Sequence, residues 1–461
     1  MKDIKIGLLP LYIKLYDDSI PQLRPRLEVF LKKMTAKLEN EGFKVDAAPF
    51  CRIESEFSEN IAKFERDGVD CIVTLHMAYS PSLESAAPLA KTKLPIVVMD
   101  TTETFDFGFD VHIDEIDYNH GIHGVMDMCN LLRRNRKPYA IAVGHCDESD
   151  VVKETAKLVR TAVAATSLKG SAVGVIGDSF KGMGDFSVTK DELRKNFGVE
   201  LVTADDKEIV SLIESVTEGE IASEKAYDRE HFEPGEEINE ENYVANIKSC
   251  LATRKWIAKH NLSAFSVNFL KIREGYMDSM PFIEACKAMQ RGIGYAGEGD
   301  ALTAAFVGAF LKTFPDTSFI EIFCPDWKND NLFISHMGEM NLGVSDVKPK
   351  LYNMPFDFGE PAKDTVAAYG RFKGGKAVYA NIYRDEEGFK LGVSPIEVLS
   401  VPQDRLENQM RGWIRPEKGA KAFLKSLSEN GATHHSFMIY DGNVDMLKFF
   451  GKLIGVPVVE L

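Results

Sequence analysis

The chain has 461 residues, 44% hydrophobic and 27% charged, a globular balance that excludes wholesale disorder. Seventy acidic residues against 55 basic ones leave a net charge of −15. That sign disfavours a nucleic-acid backbone or an anionic membrane surface as the main partner, and the length predicts about three domains.

The opening MKDIKIGLLPLYIKLYDD reads as a short strand broken by Pro10 and Lys14, with no cleavage site of a secretory leader. The longest apolar stretch, Ala301 to Leu311 with Thr303 inside it, falls well short of the roughly 18 residues that suggest a membrane span. Seven cysteines at 51, 71, 129, 146, 250, 286 and 324 form no CxxC pair. An odd, scattered set suits reduced thiols rather than a disulfide framework. The expectation is a cytoplasmic, multidomain protein.

From the N-terminus, Ile4–Leu9, Val45–Phe50, Cys71–Leu75, Ile96–Met99 and Tyr139–Val143 are compact β-branched runs of buried-strand size. Amphipathic helical windows such as Leu23–Glu41, stopped by Gly42, lie between them. Strand–helix alternation predicts a doubly wound parallel sheet, with ligands beyond the carboxyl ends of its strands. A second α/β unit begins near Lys169, with strands at Ala172–Ile176 and Glu200–Thr203 and the loop GDSFKGMGDF (Gly177–Phe186) between them. That loop lacks the spacing of a nucleotide cradle and reads as a turn. The acidic window 214–242 reads as a solvated helix and loop. A helical region at 243–260 leads to the apolar run Ala264–Leu270, and helical windows at 281–291 and 301–313 flank GIGYAGEGD. From about Thr317 short alternating runs separated by turn residues predict an antiparallel sheet or barrel. A helix at Gly419–Ser428 and a helix–strand pair at Val444–Glu460 complete it. The fold class is α/β, then α/β, then mostly β, with domains at 1–168, 169–314 and 315–461.

Several segments carry groups that suit chemistry. Glu298 lies between Gly297 and Gly299, so the backbone can approach a ligand closely, though a plain loop carboxylate is the alternative. Asp300 suits the N-cap of the next helix. Glu321 interrupts the apolar run SFIEIF. A carboxylate there either faces solvent or is paired or bound to metal, since burial alone is costly. His336 follows an apolar run at a strand end, where a structural or surface role is the alternative, and His434 and His435 sit at a helix-to-strand turn, where plain surface histidines are the alternative. Two carboxylates and two imidazoles form a mixed set suited to Mn²⁺ or Co²⁺ with positions open to substrate. No thiol belongs to it, which argues against a structural zinc.

The segments GIGYAGEGDALTAA, TSFIEIF, LFISHMGE and NGATHHSF resemble, in order and spacing, the metal-site segments of the L-arabinose isomerase family within the arabinose/fucose isomerase group. The resemblance runs along almost the whole chain and is most specific in these four stretches. It implies metal ligation by Glu298, Glu321, His336 and His435, with Glu298 and Glu321 as the catalytic pair. It also implies a Rossmann-like N-terminal domain, a central α/β domain, a C-terminal β-barrel, and a homotrimer or homohexamer with active sites between subunits. DYNHGIHG (117–124) resembles the stretch whose histidine contacts substrate, which maps to His123 with His120 beside it. IGLLPLY places Leu11 and Tyr12 at matching positions, and Phe269 completes the implied substrate contacts.

The implied reaction is aldose–ketose isomerisation of an open-chain pentose or hexose. A divalent metal would polarise the carbonyl and favour an ene-diolate, while the two glutamates move protons. No nucleotide cofactor is expected. Leu9 and Pro10 replace polar groups of the family, DTTETFDFG replaces its His-Thr-Gln, and Ile322-Phe323-Cys324 follows Glu321 where the family has Asp-Tyr. Changed polar contacts discriminate strongly between sugars, so the reaction type is better specified than the sugar. An epimerase or an isomerase of a deoxy or branched sugar at the same centre, and a non-catalytic sugar-binding protein, are the alternatives.

Overall fold

A computed structural model of the chain describes residues 3–235, 238–272, 277–357 and 362–461. It divides into two compact units, one up to Val163 and the other from Ala164 onward. No helix among the described residues is long and apolar enough to cross a membrane.

The first unit is built on a five-stranded parallel sheet. Its spatial order is Lys44–Ala47, Lys5–Leu11, Cys71–His76, Ile96–Asp100, Tyr139–Val143. The Cys71–His76 and Ile96–Asp100 strands are buried along their whole length, as expected for central parallel strands covered on both faces. Two strands differ notably from the sequence expectation: the first is not broken by Pro10 but runs through it to Leu11, with Pro10 opposite Leu75, and the second is shorter. The second strand stops at Ala47 rather than Phe50, because Pro49 has no N–H to give the ladder. The chain rejoins the sheet with the Cys51 N–H bonded to the Pro10 carbonyl at 2.9 Å.

The second unit has a parallel sheet in the order Gly294–Gly297, Ala264–Val267, Ala172–Ile176, Glu200–Thr203. The run expected to extend to Leu270 ends as a strand at Val267. Asn268 turns the chain there by accepting the Leu270 N–H at 3.0 Å, the local bond that makes asparagine a turn former. The helix Ala301–Leu311 is buried at every position, which explains why it is apolar all round. It touches both the parallel sheet and the strands of a barrel.

That barrel is six-stranded, antiparallel and closed. Going round it, the strands are Gly375–Asp385, His435–Tyr440, Thr317–Asp326, Asn331–Ser335, Gly412–Pro416 and Gly388–Val398, the last pairing back to the first. Val458–Glu460 pairs in parallel with Leu391–Val393, along the stretch of Gly388–Val398 not taken up by Gly412–Pro416.

The acidic window 214–242 departs from expectation. Its helix, Glu218–His231, buries Glu224 and Asp228. Arg254 reaches Glu224 through two bonds of 2.9 and 2.7 Å, Lys287 lies 2.6 Å from Glu224 and also pairs with Asp228, and Tyr243 donates to Asp228. Buried carboxylates are tolerated there because each is paired and hydrogen-bonded. Residues 236 and 237 of that window lie outside the described residues.

Candidate metal centre

Three strand ends of the second parallel sheet converge. The loop Gly177–Phe186 follows Ala172–Ile176, Asn268 follows Ala264–Val267, and Glu298 follows Gly294–Gly297 directly. This is the edge where open α/β sheets bind ligands. Glu298 itself adopts φ +63°, an uncommon left-handed conformation for a residue with a side chain. Its flanking glycines are sterically required. A Cβ on Gly297 would come 2.6 Å from His336 Cε1, and one on Gly299 would come 2.6 Å from the Asp178 carbonyl oxygen. The Gly299 N–H is bonded to Ser266 Oγ at 2.9 Å, which fixes the turn from beneath.

The barrel supplies the remaining groups. In the ladder Glu321 stands opposite His435 on one side and Ser335 on the other, and His336 follows Ser335 at the strand end. Directly opposed residues hold their Cβ atoms about 5 Å apart, so register brings Glu321 and His435 together, and His336 joins them from just beyond the end of its strand. His336 Nε2 lies 3.7 Å from Glu321 Oε2, and His435 Nε2 lies 3.5 Å from Glu298 Oε2. Two overlapping groups result, Glu321–His336–His435 and Glu298–His434–His435, each with ligand atoms mutually within 4.8 Å.

Both ring nitrogens that face away from this centre are held by buried carboxylates. His336 Nδ1 lies 2.7 Å from Glu339 Oε2, whose other oxygen accepts the Tyr295 hydroxyl at 2.8 Å. His435 Nδ1 lies 3.0 Å from Asp300 Oδ2. Carboxylate–imidazole pairs of this kind orient metal-binding histidines and raise their basicity. In the sequence Asp300 reads only as a helix cap, and Glu339 does not stand out. The i, i+3 spacing of His336 and Glu339 was the available signal.

The donor set fits a divalent cation. Glu298 Oε2 and His435 Nε2 are buried and have no hydrogen-bond partner, which is costly for polar atoms unless something occupies them. Electrostatics separates the two carboxyls. Burial opposes ionisation of Glu298, but His434 and His435 outweigh it and pull its pKa down to about 2. Burial dominates at Glu321 and raises its pKa despite the neighbouring imidazoles. Phe269, next in sequence to Asn268, is buried with its ring 5.1 Å from that of Phe180 in the glycine-containing loop.

The other sequence-predicted residues lie in the first unit. Leu11 is wholly buried in its apolar core, paired in register with His76. Tyr12 is buried, with its hydroxyl unpartnered, and its ring meets that of Tyr16 edge-on. Tyr16 is hydrogen-bonded to His120 Nε2 at 2.8 Å, and the His120 and His123 rings are 5.7 Å apart. These residues form one aromatic and imidazole cluster. A third grouping, His145–Cys146–Asp147, is otherwise engaged. His145 Nδ1 accepts two backbone N–H groups, its Nε2 contacts the Glu103 carbonyl, and Asp147 pairs with Lys33 and Lys37.

Residues 175–314 match the model of the L-arabinose isomerase central domain, and residues 316–457 match that of the L-arabinose isomerase C-terminal domain. The L-arabinose isomerase of Thermotoga maritima is 25% identical over 431 residues, covering 91% of this chain and 86% of that protein. Those of Aeromonas salmonicida and Erwinia tasmaniensis are 23% and 24% identical, covering 93% and 87% of this chain and 89% and 82% of the relatives. The two matched domains together span more than half of the chain, both carry residues of the centre described above, and the chain belongs to the L-arabinose isomerase family.

Proposed function

We propose that the protein is a metal-dependent aldose–ketose isomerase acting on an open-chain pentose or hexose. The observation that carries this reading is that two triads, Glu321–His336–His435 and Glu298–His434–His435, share His435, with Glu298 Oε2 and His435 Nε2 buried 3.5 Å apart and without a hydrogen bond. These four residues would hold Mn²⁺ or Co²⁺, the choice that suits mixed oxygen and nitrogen donors. The bound ion would supply Lewis-acid polarisation of the sugar carbonyl.

The chain's own groups then divide the proton transfers. Glu298, held ionised by its histidines, takes the proton from the carbon beside the carbonyl and returns it to the neighbouring carbon. Glu321, whose pKa burial raises above the ordinary glutamate range, exchanges a proton with the sugar oxygens as the ene-diolate forms and collapses. Environments that push two carboxyls apart in this way are the usual basis of acid and base assignments. His123, His120, Tyr12, Leu11 and Phe269 are the residues proposed to contact the sugar. The same reading assigns domain bounds of 1–168, 169–314 and 315–461, a cytoplasmic location, and a homotrimer or homohexamer. The assembly is supported by a run of exposed apolar side chains, Phe105, Phe107, Phe109, Ile113 and Ile116, of the kind that marks interaction sites.

The test is metal analysis of the purified protein joined to a screen for ketose formation over a panel of aldoses, with Mn²⁺ or Co²⁺ added. Turnover that stops on chelation and returns with metal is the expected result. Tight metal binding with epimerised product would move the reading to an epimerase. Sugar binding by metal-free protein, with no turnover, would favour a binding protein.

A further inference from the structure

We infer that Asp185, in the loop Gly177–Phe186, is a positioning residue for the Glu298 side of the centre and acts through His434. Asp185 Oδ2 lies 2.6 Å from His434 Nδ1 and accepts the His434 backbone N–H at 3.0 Å. His434 Nε2 lies 3.7 Å from Glu298 Oε2. The imidazole therefore spans two carboxylates, one in the loop and one at the centre. With main chain and ring both fastened to Asp185, rotation of the ring away from Glu298 would break the contact at Nδ1.

The rest of the loop works in the same direction. The Phe186 ring stacks on His435 at 4.7 Å with an interplanar angle of 12°. The Phe180 N–H is bonded to the Glu298 carbonyl at 3.0 Å, and Ser179 Oγ donates to the Gly299 carbonyl. Asn268 anchors the loop in turn by donating to the Asp178 carbonyl at 2.6 Å. A segment that reads in sequence as a plain turn thus grips the backbone of Glu298, the ring of His435 and both ends of His434. Asp185 is itself half-exposed, and an exposed ion pair contributes little to stability. Its bond across 249 residues of sequence is better accounted for by what it orients.

The kinetic part of the test rests on the isomerase reading, whereas the spectroscopic part does not. Wild type, Asp185→Asn, Asp185→Glu, His434→Gln and the double variant Asp185→Asn/His434→Gln are titrated with Co²⁺, following the visible absorption of the bound ion. Each is then assayed for kcat and KM on an aldose that the wild type converts. Asp185→Asn is expected to alter the Co²⁺ spectrum, weaken Co²⁺ binding about tenfold and lower kcat more than it raises KM. Its thermal unfolding midpoint stays unchanged. Asp185→Glu restores most of the loss, and in the His434→Gln background the Asp185 change adds nothing further. Co²⁺ affinity within twofold of wild type with an unaltered spectrum would overturn the inference. Additive losses in the double variant would do so too, as would wild-type protein that takes up no Co²⁺. Wild type that binds Co²⁺ but converts no aldose defeats the isomerase reading alone and leaves the spectral comparison to decide the role of Asp185.

Discussion

One carboxylate, that of Asp300, does two jobs at once. Its Oδ1 accepts the Thr303 N–H at 2.8 Å, capping the buried helix Ala301–Leu311, while its Oδ2 lies 3.0 Å from His435 Nδ1. Asp300→Asn keeps a capping oxygen but loses the charge beside His435. We expect it to weaken Mn²⁺ or Co²⁺ binding by about 10- to 100-fold with little change in stability. Asp300→Ala should show the same loss of affinity and in addition cost about 1 kcal/mol of stability through the missing cap. Calorimetric metal titration and urea denaturation of both variants separate the two effects.

Glu321→Gln preserves shape but cannot exchange a proton. The expected loss in kcat is about a hundredfold to ten-thousandfold, the range for removing a general acid or base. Far-ultraviolet circular dichroism should be unchanged, because the side chain stands on a barrel strand that is paired on both sides. Activity within tenfold of wild type would remove Glu321 from the proton-transfer role.

His76 gives a pH signature remote from the metal centre in sequence and housed in the first unit. Burial pushes its pKa down to about 3, against about 6.5 for an unfolded histidine. Above pH 6.5 neither state binds the proton and the contribution of His76 is constant. Below it the unfolded chain takes up a proton that the folded chain refuses, down to about pH 3, so acidification destabilises the fold. The slope reaches about 1.4 kcal/mol per pH unit. Urea midpoints measured between pH 7 and pH 5 should fall less steeply in His76→Leu than in wild type, and equal slopes would contradict this.

Phe107 and Phe109 are exposed large hydrophobics in the segment between Asp100 and Glu115. If the homo-oligomer uses this face, the pair Phe107→Ser and Phe109→Ser should shift sedimentation velocity profiles toward the monomer at micromolar concentration. Unchanged assembly would place the interface elsewhere.

The legible part of the centre was the part where a residue contradicted its surroundings. Glu321 stood out as a charge in an apolar strand, and Glu298 as a carboxylate between two glycines. The buried strands were legible because a compact β-branched run packs well on a pleated sheet and poorly in a turn or a solvated helix. Asp185 gave no such signal, because its partner lies 249 residues away and an aspartate in a glycine-containing loop suits any turn. Glu224 and Asp228 were equally mute. A polar helix face looks the same in sequence whether it meets water or, as here, Arg254 and Lys287. The turn at Asn268 was hidden because Phe269 and Leu270 continue the apolar run of the strand.

The closure of the six-stranded barrel has a consequence for how the centre is lost. Its ring of strands has no open edge from which pairing can peel away, and Phe319, Ile320 and Phe437, within two residues of Glu321 or His435, are fully buried. Backbone amides in such a place trade their hydrogens with solvent only when the whole body opens. Glu321 and His435 therefore part company in one cooperative event. In deuterated water the strands that carry them should be among the last to exchange, long after the surface helices have done so.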